Sequence, residues 1–293
     1  MRKRLILFLV AGALFLGALT FGVYRLFFRV NSVEVLVLMY HDIREEPVEG
    51  NLSIISTATF RGHIEALYNA GFQAVNFDDL IAFVDRGRRL PERAVVITFD
   101  DGYRSNLEIA APILEEFGMQ ATICVIGVSR GRDTHIRSGL PIIPHFTFDE
   151  ARPWVEAGII QIQHHSFDMH DVSHHETPET YRPRGASQRE GESDAAFRQA
   201  FMEDFNILRD MIESSLGTRV TTYAYPYGHY TAATEAMLQE LGVRVTLTIH
   251  PGTNVIWRGM PESLFLLNRL DMTEAIPPSD VAAYLEYFLI GQG

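Results

Sequence analysis

Short apolar runs alternate along this chain with longer stretches whose apolar positions repeat at helical spacing. VEVLVLMY (33–40), FQAVNF (72–77), AVVITF (94–99), ATICVIG (121–127), IIQIQ (159–163), TTYAY (221–225), VTLTI (245–249) and FLLNRL (265–270) read as strands. Between them Thr59–Ala70 reads as a helix, with Phe60, Ile64 and Leu67 on one stripe and Gly71 to stop it. Further helices are expected at DDLIAFVDRG (78–87), SNLEIAAPILEEFG (105–118), TFDEARPWVEAG (147–158), residues 195–217 and AATEAMLQELG (232–242). Strands recurring every 25 to about 40 residues with helices between them predict an α/β fold built on a parallel sheet or barrel. The polar segment Asp171–Asp194 reads as a surface excursion, and no internal repeat is visible.

The N-terminus follows a different pattern. Arg2, Lys3 and Arg4 precede 19 uncharged residues from Leu5 to Val23, with Tyr24 and Arg25 beyond. At about 1.5 Å per residue this run spans roughly 28 Å, close to the hydrocarbon thickness of a bilayer. No convincing small-residue cleavage site follows it, so residues 1–28 are expected to be an uncleaved signal anchor, one transmembrane helix with its basic end in the cytoplasm. Residues 29–32 then form a linker, and 33–293 a catalytic domain on the extracytoplasmic side of the cell membrane, secreted if the anchor is cleaved.

Composition narrows the function classes. A formal net charge of −12 argues against a nucleic-acid partner, which calls for a basic face. Cys124 is the single cysteine, so neither an intrachain disulfide nor a cysteine-based zinc site can form.

The candidate chemistry lies at strand ends, where barrel folds gather it. His41-Asp42 follows VLVLMY, Asp100-Asp101-Gly102-Tyr103 follows AVVITF, His164 to His170 follow IIQIQ, and His250-Pro251-Gly252 follow VTLTI. Taken singly, Asp-Asp-Gly is an ordinary turn, a lone histidine a rim residue, and the histidine group 164–175 a solvated loop. Together they offer a carboxylate and two imidazoles, a donor set that suits zinc, cobalt or another first-row divalent ion. A cation there would relieve the repulsion between Asp100 and Asp101, one binding it while the other works as a base.

TFDDGY, HHSFDMH, YAYPYG and VLMYHDI together resemble the polysaccharide deacetylases of carbohydrate esterase family four, the NodB-homology group, over roughly Val33 to Met272. The resemblance implies a distorted (β/α) barrel with about seven strands and metal-dependent N-deacetylation of an acetylated amino-sugar polysaccharide. It implies that Asp100 is the general base and that Asp101, His165 and His170 hold the metal, most readily Zn2+. The five-residue step from His165 to His170 resembles the branch acting on poly-N-acetylglucosamine; elsewhere in the family the step is commonly four. His174, four after His170, is a competitor without the Ser/Thr context. In YAYPYG the backbone N–H of Tyr227 would help hold the oxyanion. Where many members carry an arginine that orients the base, this chain has Thr222-Tyr223-Ala224, and Arg269 is a substitute candidate. His250 is the candidate general acid, with His41 a rim residue near the metal.

Within this reading poly-N-acetylglucosamine-type exopolysaccharide is preferred to peptidoglycan. Two other readings stay open: a barrel glycoside hydrolase using Asp100 with a second carboxylate, and an inactive glycan-binding module of the same fold.

Overall fold

A computed structural model describes residues 31–170, 186–189 and 191–290, together with 17 and 20. Most of the expected anchor, His174 and most of the 171–194 excursion lie outside these residues. No helix among the described residues is long and apolar enough to cross a membrane.

The strands in chain order are β1 (Ser32–Tyr40), β2 (Asp42–Arg44), β3 (Ile54–Ser56), β4 (Gln73–Ala74), β5 (Ala94–Phe99), β6 (Ala121–Val125), β7 (Ile160–His164), β8 (Thr222–Ala224), β9 (Val245–Leu247), β10 (Asn254–Trp257) and β11 (Leu270–Asp271). The main sheet runs β10-β1-β5-β6-β7-β8-β9, with β4 beside β5 and β11 beside β1. Neighbours from β1 to β9 are parallel, and β10 joins the edge of β1 antiparallel. The result is an α/β half-barrel with a seven-strand path: the alternation of strands and helices predicts its parallel α/β architecture, and the resemblance implies a barrel of about seven strands. Its two ends are linked by the segment around Leu267, which bridges β9 at Leu247 and continues into β11 against β1. The run FLLNRL therefore closes the barrel, although only Leu270 and Asp271 at its end have strand geometry.

β1 shows why these strands are apolar throughout. Leu36 and Leu38 pack in one core cluster and Val35 and Val37 in another, so both faces are covered. Helix Phe77–Arg86 supplies Phe77, Leu80 and Phe83 to the second cluster. It starts within the predicted strand 72–77, because Asn76 accepts the Asp79 N–H and Asp79 reciprocates in a capping box. Over 105–118 the expected helix opens with a π-helical turn, Asn106–Ala110, before the regular helix Ala111–Glu116. Pro112 explains the widening: its missing N–H and its ring disrupt the regular bond to the carbonyl four residues back. The antiparallel β10, the small parallel pair β2–β3 and the C-terminal helix Val281–Ile290 go beyond the sequence expectations.

Candidate active site

β5 is apolar to its last residue and then turns through Asp100, Asp101 and Gly102. Asp101 has φ 73° and Gly102 φ 86°. At Gly102 a side chain would put its Cβ 2.9 Å from Val125 Cγ1, so the turn needs glycine. Asp101, Ser166 and Tyr227 are three of the four non-glycine residues with positive φ among the described residues, and all belong to this site. Backbone strain concentrated in this way is characteristic of a functional centre.

Asp100 is clamped from within the barrel. The two terminal guanidinium nitrogens of Arg269 donate to its two carboxylate oxygens at 2.7 Å, and Arg269 Nε donates to the Thr248 carbonyl at 2.7 Å. Arg269 is fully buried. Burial alone would raise the Asp100 carboxyl, but the Arg269 charge and hydrogen bonds outweigh it and hold the group well below the usual carboxylate range. The missing upstream arginine is thus replaced in space by one from a late segment. Asp101 is also held below its ordinary value, because the imidazoles of His170 and His41 outweigh the effect of burial.

His165 and His170 come from the turn after β7. His165 Nδ1 lies 2.8 Å from the Ala224 carbonyl at the end of β8. A carbonyl only accepts, so Nδ1 carries the proton and the neutral ring presents a lone pair at Nε2. Burial pushes the ring's pKa down to about 4, which keeps it neutral at pH 7. That lone pair faces Asp101 Oδ1 at 3.6 Å, and His170 Nε2 approaches the same oxygen at 3.3 Å. Asp101 Oδ1 is buried and has no hydrogen-bond partner. Three electron-rich atoms thus converge within 4.8 Å of one another. Such convergence is unfavourable unless a cation lies between them, and a two-nitrogen, one-oxygen set fits a divalent ion of the zinc type. The adjacent His164 is not part of the set: its Nε2 bonds the Phe205 carbonyl, its Nδ1 accepts the Ser166 N–H, and its ring stacks 4.5 Å from Phe205.

The sequence pattern did not reveal what shapes this turn. Asp204, buried on helix Asp194–Leu216, accepts the backbone N–H groups of Phe167 at 2.8 Å and Asp168 at 2.7 Å. Its interruption of an apolar helical stripe was the only available signal, and it gives no partner. An asparagine can accept only through its single oxygen and turns a donor toward the second N–H. Asp204→Asn is therefore expected to cost about 1–3 kcal/mol, measured as a lower urea midpoint with unchanged slope.

Tyr227 sits over His170, with ring centroids 4.6 Å apart and its hydroxyl 3.4 Å from His170 Nδ1. Asp101, His170, Tyr227, Tyr103 and His145 line one cleft of about 1010 Å³. The run from Leu140 to Pro144 adds an apolar stretch to the lining. His250 is exposed and does not line this cleft; its carbonyl accepts the Arg269 N–H at 2.9 Å, and its own N–H donates to Thr248 Oγ1 at 3.2 Å. His41 does not line this cleft either, but it lies near enough to both aspartates to lower their pKa values.

A family model described as polysaccharide deacetylase matches residues 87–246. YxkH of Bacillus subtilis (strain 168), which carries a polysaccharide deacetylase name, is 25% identical over 250 residues, covering 85% of this chain and 75% of that protein. The poly-beta-1,6-N-acetyl-D-glucosamine N-deacetylase of Escherichia coli (strain K12) is 22% identical over 228 residues, which is 74% of this chain and 34% of that enzyme. A solved structure of a de-N-acetylase from Aggregatibacter actinomycetemcomitans shares the fold, with a TM-score of 0.69 at 19% identity over 82% of this chain and 95% of that one.

Proposed function

Since the chain belongs to the polysaccharide deacetylase family, whose members hydrolyse amide bonds, we propose that it removes acetyl groups from N-acetylglucosamine-containing cell-surface polysaccharide in a metal-dependent reaction. The observation that carries the metal dependence is the buried convergence of His165 Nε2 and His170 Nε2 on the unpartnered Oδ1 of Asp101. These three residues hold the metal, zinc first and cobalt or another first-row ion second. When bound, a divalent cation supplies Lewis acidity, polarising the acetamide carbonyl and making a water easier to deprotonate.

The remaining steps belong to the chain's own residues. Asp100, kept ionised by Arg269, takes a proton from the water that attacks the acetamide carbon. The Tyr227 backbone N–H donates to the carbonyl oxygen as its negative charge grows. The C–N bond then breaks, releasing acetate, and an imidazole protonates the departing amine. We assign this last role to His41 rather than His250, because His41 lies near enough to both aspartates to lower their pKa values while His250 is exposed. His41→Ala is accordingly expected to slow turnover by roughly two to four orders of magnitude, with His250→Ala staying near the wild-type rate. The reverse ranking in a kcat comparison would return the role to His250.

Poly-N-acetylglucosamine of the β-1,6 type is the preferred substrate over peptidoglycan, supported by the five-residue histidine spacing and by the relative that carries that name. A barrel glycoside hydrolase that pairs Asp100 with Asp101 is disfavoured. A retaining or inverting pair needs one carboxyl kept protonated as the acid, and both of these are held below their ordinary values. Incubating N-acetylglucosamine oligomers with the whole chain separates the readings: a deacetylase releases acetate without new reducing ends, a glycosidase the reverse, and a binding module neither. We also assign residues 1–28 to a membrane anchor that holds the catalytic domain, 33–293, outside the cytoplasm, on the strength of the uncharged run from Leu5 to Val23.

A further inference from the structure

The candidate active site occupies one end of the half-barrel, where Asp101, His165 and Tyr227 follow the carboxyl ends of β5, β7 and β8. β1 starts at the opposite end, where Ser32 pairs in register with Trp257 of the antiparallel β10. Helix Phe77–Arg86 closes this amino-terminal end. Its Phe77, Leu80 and Phe83 enter the cluster that holds Val35 and Val245. Asn76, Asp78 and Asp85 bond Gln120, Gln161 and Arg244, which lays the helix across the starts of β6, β7 and β9. The chain enters the barrel beside the last turn of this helix: Arg258 N–H donates to the Asn31 carbonyl and Gly259 N–H to the Val84 carbonyl, each at 2.8 Å.

Arginines gather at this end of a chain whose net charge is −12. Arg88 pairs with Asp79 at 2.9 Å, Arg244 with Asp85 at 2.8 Å, and Arg93 with Glu286. Arg86, Arg89, Arg219 and Arg258 have no ion-pair partner among the described residues, and the first three are exposed. Arg89 and Arg258 line a groove of about 320 Å³ beside Ser32, together with Leu90, Pro91 and Glu92. Arg86 and Arg219 line a second groove of about 620 Å³, where Asp78 is bonded by Gln161 at 2.9 Å. Met260 is 43% exposed, and its N–H donates to the Trp257 carbonyl. Guanidinium groups beside an indole and an exposed apolar side chain are suited to a layer of phosphate-bearing lipid headgroups.

The anchor sets how far this end can stand from a bilayer. From Arg25, just past the uncharged run, to Ser32 is a step of seven residues, which reaches at most about 25 Å fully extended. Arg25 and Arg29 add two more cations to that tether. We propose that the amino-terminal end of the barrel, through Arg86, Arg89, Arg219 and Arg258, rests on an anionic bilayer surface and turns the catalytic cleft outward. This rests on the assignment of residues 1–28 to a membrane anchor. The nine residues of β1, at about 3.3 Å each, set the cleft roughly 30 Å farther out than Ser32. Glycan strands beyond the headgroups, rather than saccharide attached to lipid, then meet the site.

The test places the whole chain in vesicles of phosphatidylcholine alone or mixed equally with phosphatidylglycerol, each carrying a quencher at the headgroups. A fluorophore is attached at Met260→Cys, or at Leu140→Cys on the cleft; the native Cys124 is buried and takes no label. The Met260→Cys label should be quenched more in the anionic vesicles. That excess should vanish in about 1 M salt, where the Debye length is about 3 Å. It should vanish too when Arg86, Arg89, Arg219 and Arg258 are all changed to glutamine. The Leu140→Cys label should stay bright throughout. Equal quenching of the Met260→Cys label in the two lipids overturns the proposal, and so does quenching of the Leu140→Cys label as strong as that at position 260. Both comparisons keep the four arginines, so neither depends on the glutamine variant folding. Release of the chain from phosphatidylcholine vesicles by high salt would sink the anchor reading instead. Adding the labelled chain to anionic vesicles would then still report whether this face meets the lipid.

Discussion

Arg269→Met is expected to destabilise the fold by about 3–5 kcal/mol, the usual cost of leaving one partner of a buried ion pair uncompensated. The whole stability of a domain is only about 5–15 kcal/mol, so the variant should come close to unfolding at ordinary temperature. The mechanism is specific. Arg269 makes two charge-assisted bonds to Asp100 and a third to the Thr248 carbonyl, all inside the barrel. Without the guanidinium, only the nearby His165 and His41 imidazoles oppose burial, which then raises the Asp100 carboxyl instead of lowering it. Adding Asp100→Asn to Arg269→Met removes the orphaned charge and should recover most of the loss. The pH dependence carries the sign. In wild type the folded pKa of Asp100 lies below its unfolded value, so the pair stabilises above the usual carboxylate range, and that contribution disappears as pH falls through the folded pKa. In Arg269→Met the folded pKa lies above the unfolded value, so the penalty is present at neutral pH and is relieved on acidification. The stability gap between the two proteins should therefore narrow from pH 7 toward pH 4, and urea titrations at the two pH values measure it. A cost below about 1 kcal/mol at pH 7 would mean the clamp does not bear on the fold as the geometry requires.

His165→Ala is expected to bring acetate release down to background and to weaken zinc binding by more than the roughly 10–100-fold associated with losing an outer partner of a metal ligand. The imidazole is the best oriented donor of the three: its Nδ1–H is spent on the Ala224 carbonyl, which leaves Nε2 fixed toward Asp101. Its removal leaves one imidazole and one carboxylate, too few protein donors for a site of this type. Competition with a chromophoric chelator measures the affinity, and an acetate assay the turnover. Zinc held as tightly by the variant as by wild type would remove His165 from the metal set.

The parallel α/β architecture and the place of the candidate site were both legible along the chain, for physical reasons that also set the limits. Strands buried on both faces leave continuous apolar runs such as AVVITF, which matches β5 residue for residue. Polar groups at the ends of such runs therefore stand out, as Asp100, Asp101, His165 and His170 did. What could not be read were contacts across the barrel. Arg269 lies 169 residues from the aspartate it clamps, and only the closing segment after β9 brings them together. Asp204 reaches the histidine turn from a helix whose stripe tells nothing of the loop it caps. His145 was overlooked for a related reason: in sequence it precedes a helix with no strand end beside it, and backbone pairing of its segment with the Asp-Asp-Gly-Tyr turn carries it into the cleft. His250 is the opposite case. Its place after an apolar run suggested a role, but the chain turns there so that the side chain is exposed.

The most direct test is acetate release from N-acetylglucosamine oligomers by the whole chain stripped of metal, with and without added zinc or cobalt, beside Asp100→Asn. The predicted result is no release by the stripped protein, recovery on adding the ion, and a recovered rate lower by roughly 10²- to 10⁴-fold in Asp100→Asn. Equal release with and without metal, or an Asp100→Asn variant as fast as wild type, would contradict metal-dependent deacetylation at this site.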